Sequence, residues 1–245
     1  MDNKSPDSKV ILQLSPKSIF IFLLKIVSIL FILHLVTRFL VYKHLNKLDF
    51  IQRLDFYFNL DNEQNVPTFF SFTILLFSSA LLYSISILGN TTKQDKKYWL
   101  LLSIIFLFLS LDEAIELHER LITPLRRIFI KDLSGFLHWG WIVPYSILFL
   151  AIGIYFLKFL FRLDKKVRNS FFLAAFIFVF GAVIIESIEG HFYEIFEPEH
   201  IIFYITITLQ EIFEMIGVII FIKTLLQYLL LNKEIILSNS DLPNK

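Results

Sequence analysis

Six stretches of roughly twenty apolar residues recur along the chain, at 18–41, 66–88, 98–120, 137–161, 170–190 and 202–229. A helix needs about 20 such residues to cross the hydrocarbon layer, and only a helix or a closed barrel satisfies every backbone group there. The stretches lack the period-two alternation of barrel strands, so the spacing predicts an all-α integral membrane protein, a six-transmembrane helical bundle. Composition agrees: 56% of the 245 residues are hydrophobic and 29 are phenylalanine, well above the share in a soluble domain.

The first apolar run comes after Lys4, Lys9 and Lys17, like a secretory leader. It is too long for a leader's apolar core and ends at Thr37, Arg38 and Phe39 with no small-residue cleavage pattern, so it reads as a retained span. Lys and Arg concentrate in one set of connections: Lys93, Lys96 and Lys97, then Arg162, Lys165, Lys166 and Arg168, together with both tails. The positive-inside rule therefore places both termini in the cytoplasm, and the expected setting is a bacterial inner (plasma) membrane. The expected organisation is a cytoplasmic tail (1–17), one six-helix membrane domain (18–231) and a second cytoplasmic tail (232–245). Trp139 and Trp141 then fall at the outer interface and Trp99 at the inner one. Between the first two spans, Leu45, Leu48, Ile51, Leu54 and Phe58 recur every three or four residues, which predicts an interfacial helix.

The formal net charge is +1, and no basic face exists for a nucleic acid. The absence of cysteine excludes disulfides, thiolate zinc sites, iron–sulfur clusters and cysteine nucleophiles. No H-E-x-x-H, no nucleophile elbow and no glycine-rich phosphate loop occurs, and no apolar span carries Glu-x-x-His.

What does occur is acid inside the apolar spans. The third carries Asp112, Glu113, Glu116 and Glu119, the fifth Glu186 and Glu189, and the sixth Glu211 and Glu214. Residues three or four apart share a helix face, so each E-x-x-E pair points one way, while His118 points away from the acid stripe. The third and fifth spans run outward with acids near their ends, and the sixth runs inward with acids near its middle. All three sets fall in the outer half of the membrane, where they are expected to converge. Ionised burial of these eight groups costs about 20–28 kcal/mol if they are independent and central, and less near the interface. Protonation, pairing with bases, or a bound cation could offset this. Bases at that depth are few: Arg38, Arg120, His118, His138 and His191. The carboxylates, with His191 or His118 as a nitrogen donor, are thus expected to bind a divalent metal ion, and in a transporter to pass it or protons across the bilayer. An outer loop with His191, Glu194, Glu197, Glu199 and His200 and no Lys or Arg would gather cations. A membrane-embedded metal-dependent hydrolase or lipid-modifying enzyme, and a non-catalytic assembly or sensor subunit, use the same residue inventory.

The element Gln210-Glu211-Ile212-Phe213-Glu214 resembles the R-E-G-L-E motif of high-affinity iron permeases, with Gln210 and Ile212 standing where that motif has Arg and Gly. The resemblance implies a part in cation passage for Glu211 and Glu214. The run from Leu111 to Glu119, taken with Gln210 to Gly217, also resembles a group of uncharacterised bacterial multi-pass membrane proteins, which implies architecture and no activity.

Overall fold

The computed structural model describes residues 15–43, 47–89, 92–128, 133–196 and 200–240, with Arg126, Ile128 and the last nine by backbone only. Most of the two expected tails lies outside the described residues, as do Leu45, Lys131, Glu197 and Glu199.

Six helices are long and apolar enough to cross a membrane. They are α1 (Pro16–Tyr42), α3 (Val66–Leu88), α4 (Lys93–Ile115), α7 (Ile142–Leu160), a composite of α8 (Lys165–Val179) and α9 (Glu186–Ile195), and α10 (Ile201–Ser240). Short helices α2 (Asp49–Phe58), α5 (Leu117–Arg120) and α6 (Ile122–Ile128) fill the connections. Sequence-coded caps start four of the long helices. Ser15 accepts from the Ser18 N–H ahead of Pro16, Asn65 from Thr68 ahead of Pro67, Thr92 from Asp95, and Asp164 from Lys166.

α10 is the hub, packing against α1, α3, α8 and α9. Small residues set its closest approaches. A Cβ on Gly217 would lie 2.8 Å from the Phe178 backbone N, and one on Gly181 would lie 2.9 Å from the Gln210 carbonyl O, so only glycine lets the fifth and sixth spans meet this closely. α3 and α4 are joined by reciprocal hydrogen bonds: the Ser79 hydroxyl donates to the Ser103 carbonyl (2.8 Å) and Ser103 to that of Ser79 (2.9 Å).

The two ends of the bundle differ. At the end where α1 begins, packing is dry and aromatic. Trp99 is fully buried among Phe159 (ring centroids 4.9 Å), Tyr228 (4.9 Å) and Phe171 (6.1 Å), with Ile222 and Leu225 of α10 equally buried. Trp99 is therefore a core residue and not the interfacial anchor expected from its position.

At the end where α1 finishes, the helices are irregular. The apolar pattern predicts a third span unbroken to Arg120. The helix instead stops at Glu116, which takes a left-handed conformation (φ 55°), and the chain restarts as α5. The fourth span begins at Ile142 rather than 137; Trp139 and Gly140 (φ 68°) form a turn ahead of it, and Trp141 is 4% exposed. In the fifth span, a π-helical stretch (Phe180–Ile185) separates α8 from α9 immediately before Glu186. The wider turn of such a stretch rotates the helix beyond it relative to the helix before it, and π-helical turns cluster at functional sites. The connection after α1 contains the expected helix, α2, too short to span; Ile51 turns inward and Asp55 takes a two-oxygen contact from Arg38 Nη1 (3.0 and 3.2 Å).

Candidate functional site

Between the irregular ends of α4, α7 and α9 and the continuous α10 lies a cavity of about 440 Å³, within the range of small-molecule sites. Its wall carries nine carboxylates and one imidazole, and neither Lys nor Arg.

Span by span, α10 supplies Glu211 and Glu214, half-buried and deepest, ten and thirteen residues beyond its start. α9 supplies Glu186 and Glu189, 8% and 7% exposed. α9 can press this close to α10 because Gly181, one turn before Glu186, packs on the Gln210 backbone and on Glu214 Cγ (3.1 Å to the position of a Cβ). The Gln210 amide bridges the two helices, donating to Glu186 Oε2 (3.2 Å). Gly190 lets the turn at His138 and Trp139 close over α9, which sets the indoles of Trp141 and Trp139 beside Glu186 and Glu189.

α4 supplies Asp112 and Glu113, and α5 supplies Glu119. Asp112 is the best-partnered acid. Its Oδ1 accepts from the Tyr145 hydroxyl (3.0 Å) and from the His118 backbone N–H (3.0 Å), and its Oδ2 meets His118 Nδ1 at 3.2 Å. The break at Glu116 makes this possible. In an unbroken helix His118 would face away from the acids, as its spacing predicts; the left-handed residue turns the chain so that Asp112 holds both the backbone and the ring of His118. The ring also stands edge-on to Trp141 (4.9 Å). Burial works against charge on this imidazole, but the bond to Asp112 and the nearby carboxylates of Asp112, Glu113 and Glu119 outweigh it, raising its pKa to about 9. His118 is thus a fixed cation at neutral pH among many acids.

Seven of the nine expected ligands line the cavity; the other two stand apart from it. Glu116 accepts from the Gln64 amide (2.7 Å), and the His191 ring stacks on Phe136 (4.5 Å) with a buried, unpartnered Nδ1. Arg38, a candidate base for the acids, is engaged by Asp55 and lies over the Tyr204 ring (4.2 Å). Glu194, expected to gather cations, instead accepts from His138 Nδ1 (2.7 Å) and the Gly135 N–H (2.6 Å).

Two cavity acids lie beyond the reach of the span pattern. Asp61 and Glu63 come from the connection between α2 and α3, outside every apolar span. Asp61 is exposed at the mouth, yet enough protein surrounds it that burial raises its pKa, with Arg38 opposing. Burial, then neighbouring Glu119, pushes Glu63 up to about 7, with His118 pulling the other way. His34 holds this connection in place: its Nδ1 accepts from the Leu60 N–H (3.1 Å) and its Nε2 meets Thr208 Oγ1 on α10 (3.0 Å). The polar run Asn59-Leu60-Asp61-Asn62-Glu63, directly ahead of a span, is the signal that could have found them.

Among the described residues, no three of the carboxylates and imidazoles stand close enough together to hold a metal ion between them. The acids are spread over the cavity wall, and an aromatic rim of Trp139, Trp141, Tyr145, Tyr193, Phe203 and Tyr204 lies with them. The arrangement can concentrate positive charge and pack apolar or aromatic matter beside it.

A family described as a domain of unknown function, DUF8692, matches residues 23–229. No curated protein and no solved structure matches the chain.

Proposed function

We propose, for a chain that belongs to the DUF8692 family, whose description names no activity, that it takes a cation from one side of the membrane into this cavity and holds it against the carboxylates of α4, α9 and α10. The observation that carries the reading is the imbalance on one wall, nine carboxylates against one imidazole. Buried carboxylates without counter-charge are either protonated or neutralised by a bound cation, and both outcomes make the cavity a cation or proton site. Because the oxygens are dispersed, a divalent metal would sit there with part of its water shell, as hard cations that dehydrate reluctantly do.

The distribution of Lys and Arg supports a cavity mouth that faces outward, away from the cytoplasm. Met215 and Val218 form the floor of the cavity, and beneath them the path is closed by the fully buried Ile219, Ile222 and Leu225. Translocation would need that plug to open, whereas binding does not. The closed floor favours, as a second reading, a membrane-embedded metal-dependent hydrolase or lipid-modifying enzyme in which the held cation activates water. The sensor or assembly subunit is supported least, because it would have each acid satisfied by its own base.

The test is equilibrium binding of Mg²⁺, Ca²⁺, Mn²⁺, Fe²⁺ and Zn²⁺ to the purified protein, with proton release monitored in parallel. Saturable binding should weaken about a hundredfold when Glu211 and Glu214 are replaced by Gln, since removing a partner from a desolvated charge pair costs about 2–5 kcal/mol. A wild-type protein that neither binds a cation nor exchanges protons differently from the Gln variant would reject the reading.

A further inference from the structure

Resting on the cation reading above, we propose that the occupant is an organic polycation, a flexible amine carrying several ammonium groups separated by methylenes, rather than a bare metal ion. Four observations converge on this class. The acids come from five separate parts of the chain and reach from Asp61 at the mouth to Glu214 near the floor. On α10 alone the lining runs from Phe203 to Val218, about 22 Å at 1.5 Å per residue, with its acids at Glu211 and Glu214. A single small charge cannot neutralise groups so dispersed, whereas ammonium groups strung along a chain meet them one after another. The described residues offer no three-donor cluster for a metal, and about 440 Å³ suits an organic molecule rather than an ion.

Aromatic faces accompany the acids. Trp139 and Tyr193 (5.2 Å), Tyr193 and Phe203 (5.6 Å) and Phe203 and Tyr204 (6.1 Å) form a continuous row along one side, and Trp141 with Tyr145 (5.0 Å) faces the other acids. Rings of this kind hold ammonium by cation–π attraction and pack on methylenes. The chain already lays an organic cation of its own on this rim, the Arg38 guanidinium over Tyr204.

The fourth observation is a missing donor. Gln210 Oε1 is buried on the cavity wall with no hydrogen-bond partner, while the same amide's Nε2 donates to Glu186. A buried amide oxygen left bare keeps the full penalty of its lost hydration. An N–H donor brought by the ligand satisfies it, and an ammonium brings up to three.

The experiment is calorimetric titration of the full chain in nanodiscs of zwitterionic lipid, with spermidine in one arm and Mg²⁺ or Mn²⁺ in the other. The wild type should bind spermidine saturably at one per chain. Glu211→Gln with Glu214→Gln should abolish this, and Tyr204→Leu or Trp141→Leu should weaken it about 3- to 30-fold, the fold-change of one cation–π contact. Tyr204 lies at the rim and its variant is expected to fold even if that of Trp141 does not. Metal binding that the Glu variants lose and spermidine does not displace would overturn this proposal while leaving the cation reading standing. Spermidine binding unaffected by Tyr204→Leu and by the Glu variants would overturn it as non-specific, and binding of neither ligand would overturn both.

Discussion

The two ends of this bundle are built from the same six helices and could hardly differ more. At one end, Trp99, Phe159, Ile222 and Leu225 are fully buried in continuous helices. At the other, the helices break at Glu116, pass through a π stretch before Glu186 and turn at Gly140, and they surround acids instead of excluding them. Regular helices present long apolar faces that pack without voids. Breaks re-aim side chains and leave room. The dry end supplies the stability that offsets the crowding of like charges at the acid-lined end, an expected division where function requires buried charge.

That division can be broken by mutation. Trp99→Ala should cost about 3–5 kcal/mol, as large-to-small changes in packed cores do, read as a fall in thermal unfolding temperature in detergent. Cation affinity of the folded fraction should stay unchanged; an equal loss of affinity would show that the ends are not separable.

Glycine substitutions sharpen the same contrast. Gly181→Ala puts a methyl 2.9 Å from the Gln210 carbonyl, and Gly217→Ala puts one 2.8 Å from Phe178. Each overpacks at a cost of about 1–3 kcal/mol. The first moves Glu186 and Glu189 relative to Glu211 and should lower cation affinity more than the second at equal loss of stability.

Asp112→Asn should cost about 1–3 kcal/mol by weakening charge-assisted bonds to His118. The pH dependence separates this from generic damage. The folded-state pKa of His118, about 9, lies above its ordinary 6.5, so the stability it contributes is complete below about pH 6.5 and lost as pH rises through about 9. Unfolding curves between pH 6 and 10 should show that decline in the wild type and lose it in the variant.

The smallest effect sits at the mouth. Glu63 is held up at about 7 by burial, with Glu119, Glu116 and His118 around it and Thr68 donating to it at 3.3 Å, so the proposed cation would have to displace its proton near neutrality. Affinity should rise severalfold from pH 6 to pH 8, and Glu63→Gln should flatten that slope.

The spans themselves are legible because hydrophobic length is a property of local sequence, and the meeting of Glu186, Glu189, Glu211 and Glu214 comes out of helix direction and depth. The break at Glu116 is not legible. The run Leu-Asp-Glu-Ala-Ile-Glu-Leu-His-Glu contains neither Gly nor Pro and favours a continuous helix. The left-handed residue, costing about 1–2 kcal/mol, is offset by the distant Gln64 bond to Glu116 and by the local Asp112 bonds to His118. Partners 52 residues apart leave no trace in local periodicity. Helical spacing puts His118 on the wrong face for that reason. Asp61 and Glu63 escape a reading of the spans because they belong to a connection whose docking depends on His34 and Thr208, again contacts distant in sequence.

The most direct test of shared carboxylates is a double-mutant cycle on cation affinity between Glu186→Gln on α9 and Glu211→Gln on α10. If both groups face one bound positive charge, the losses are coupled, and the double variant departs from the sum of the single ones by more than about 0.5 kcal/mol. Losses that add to within about 0.3 kcal/mol would place the two acids in independent surroundings and contradict the account.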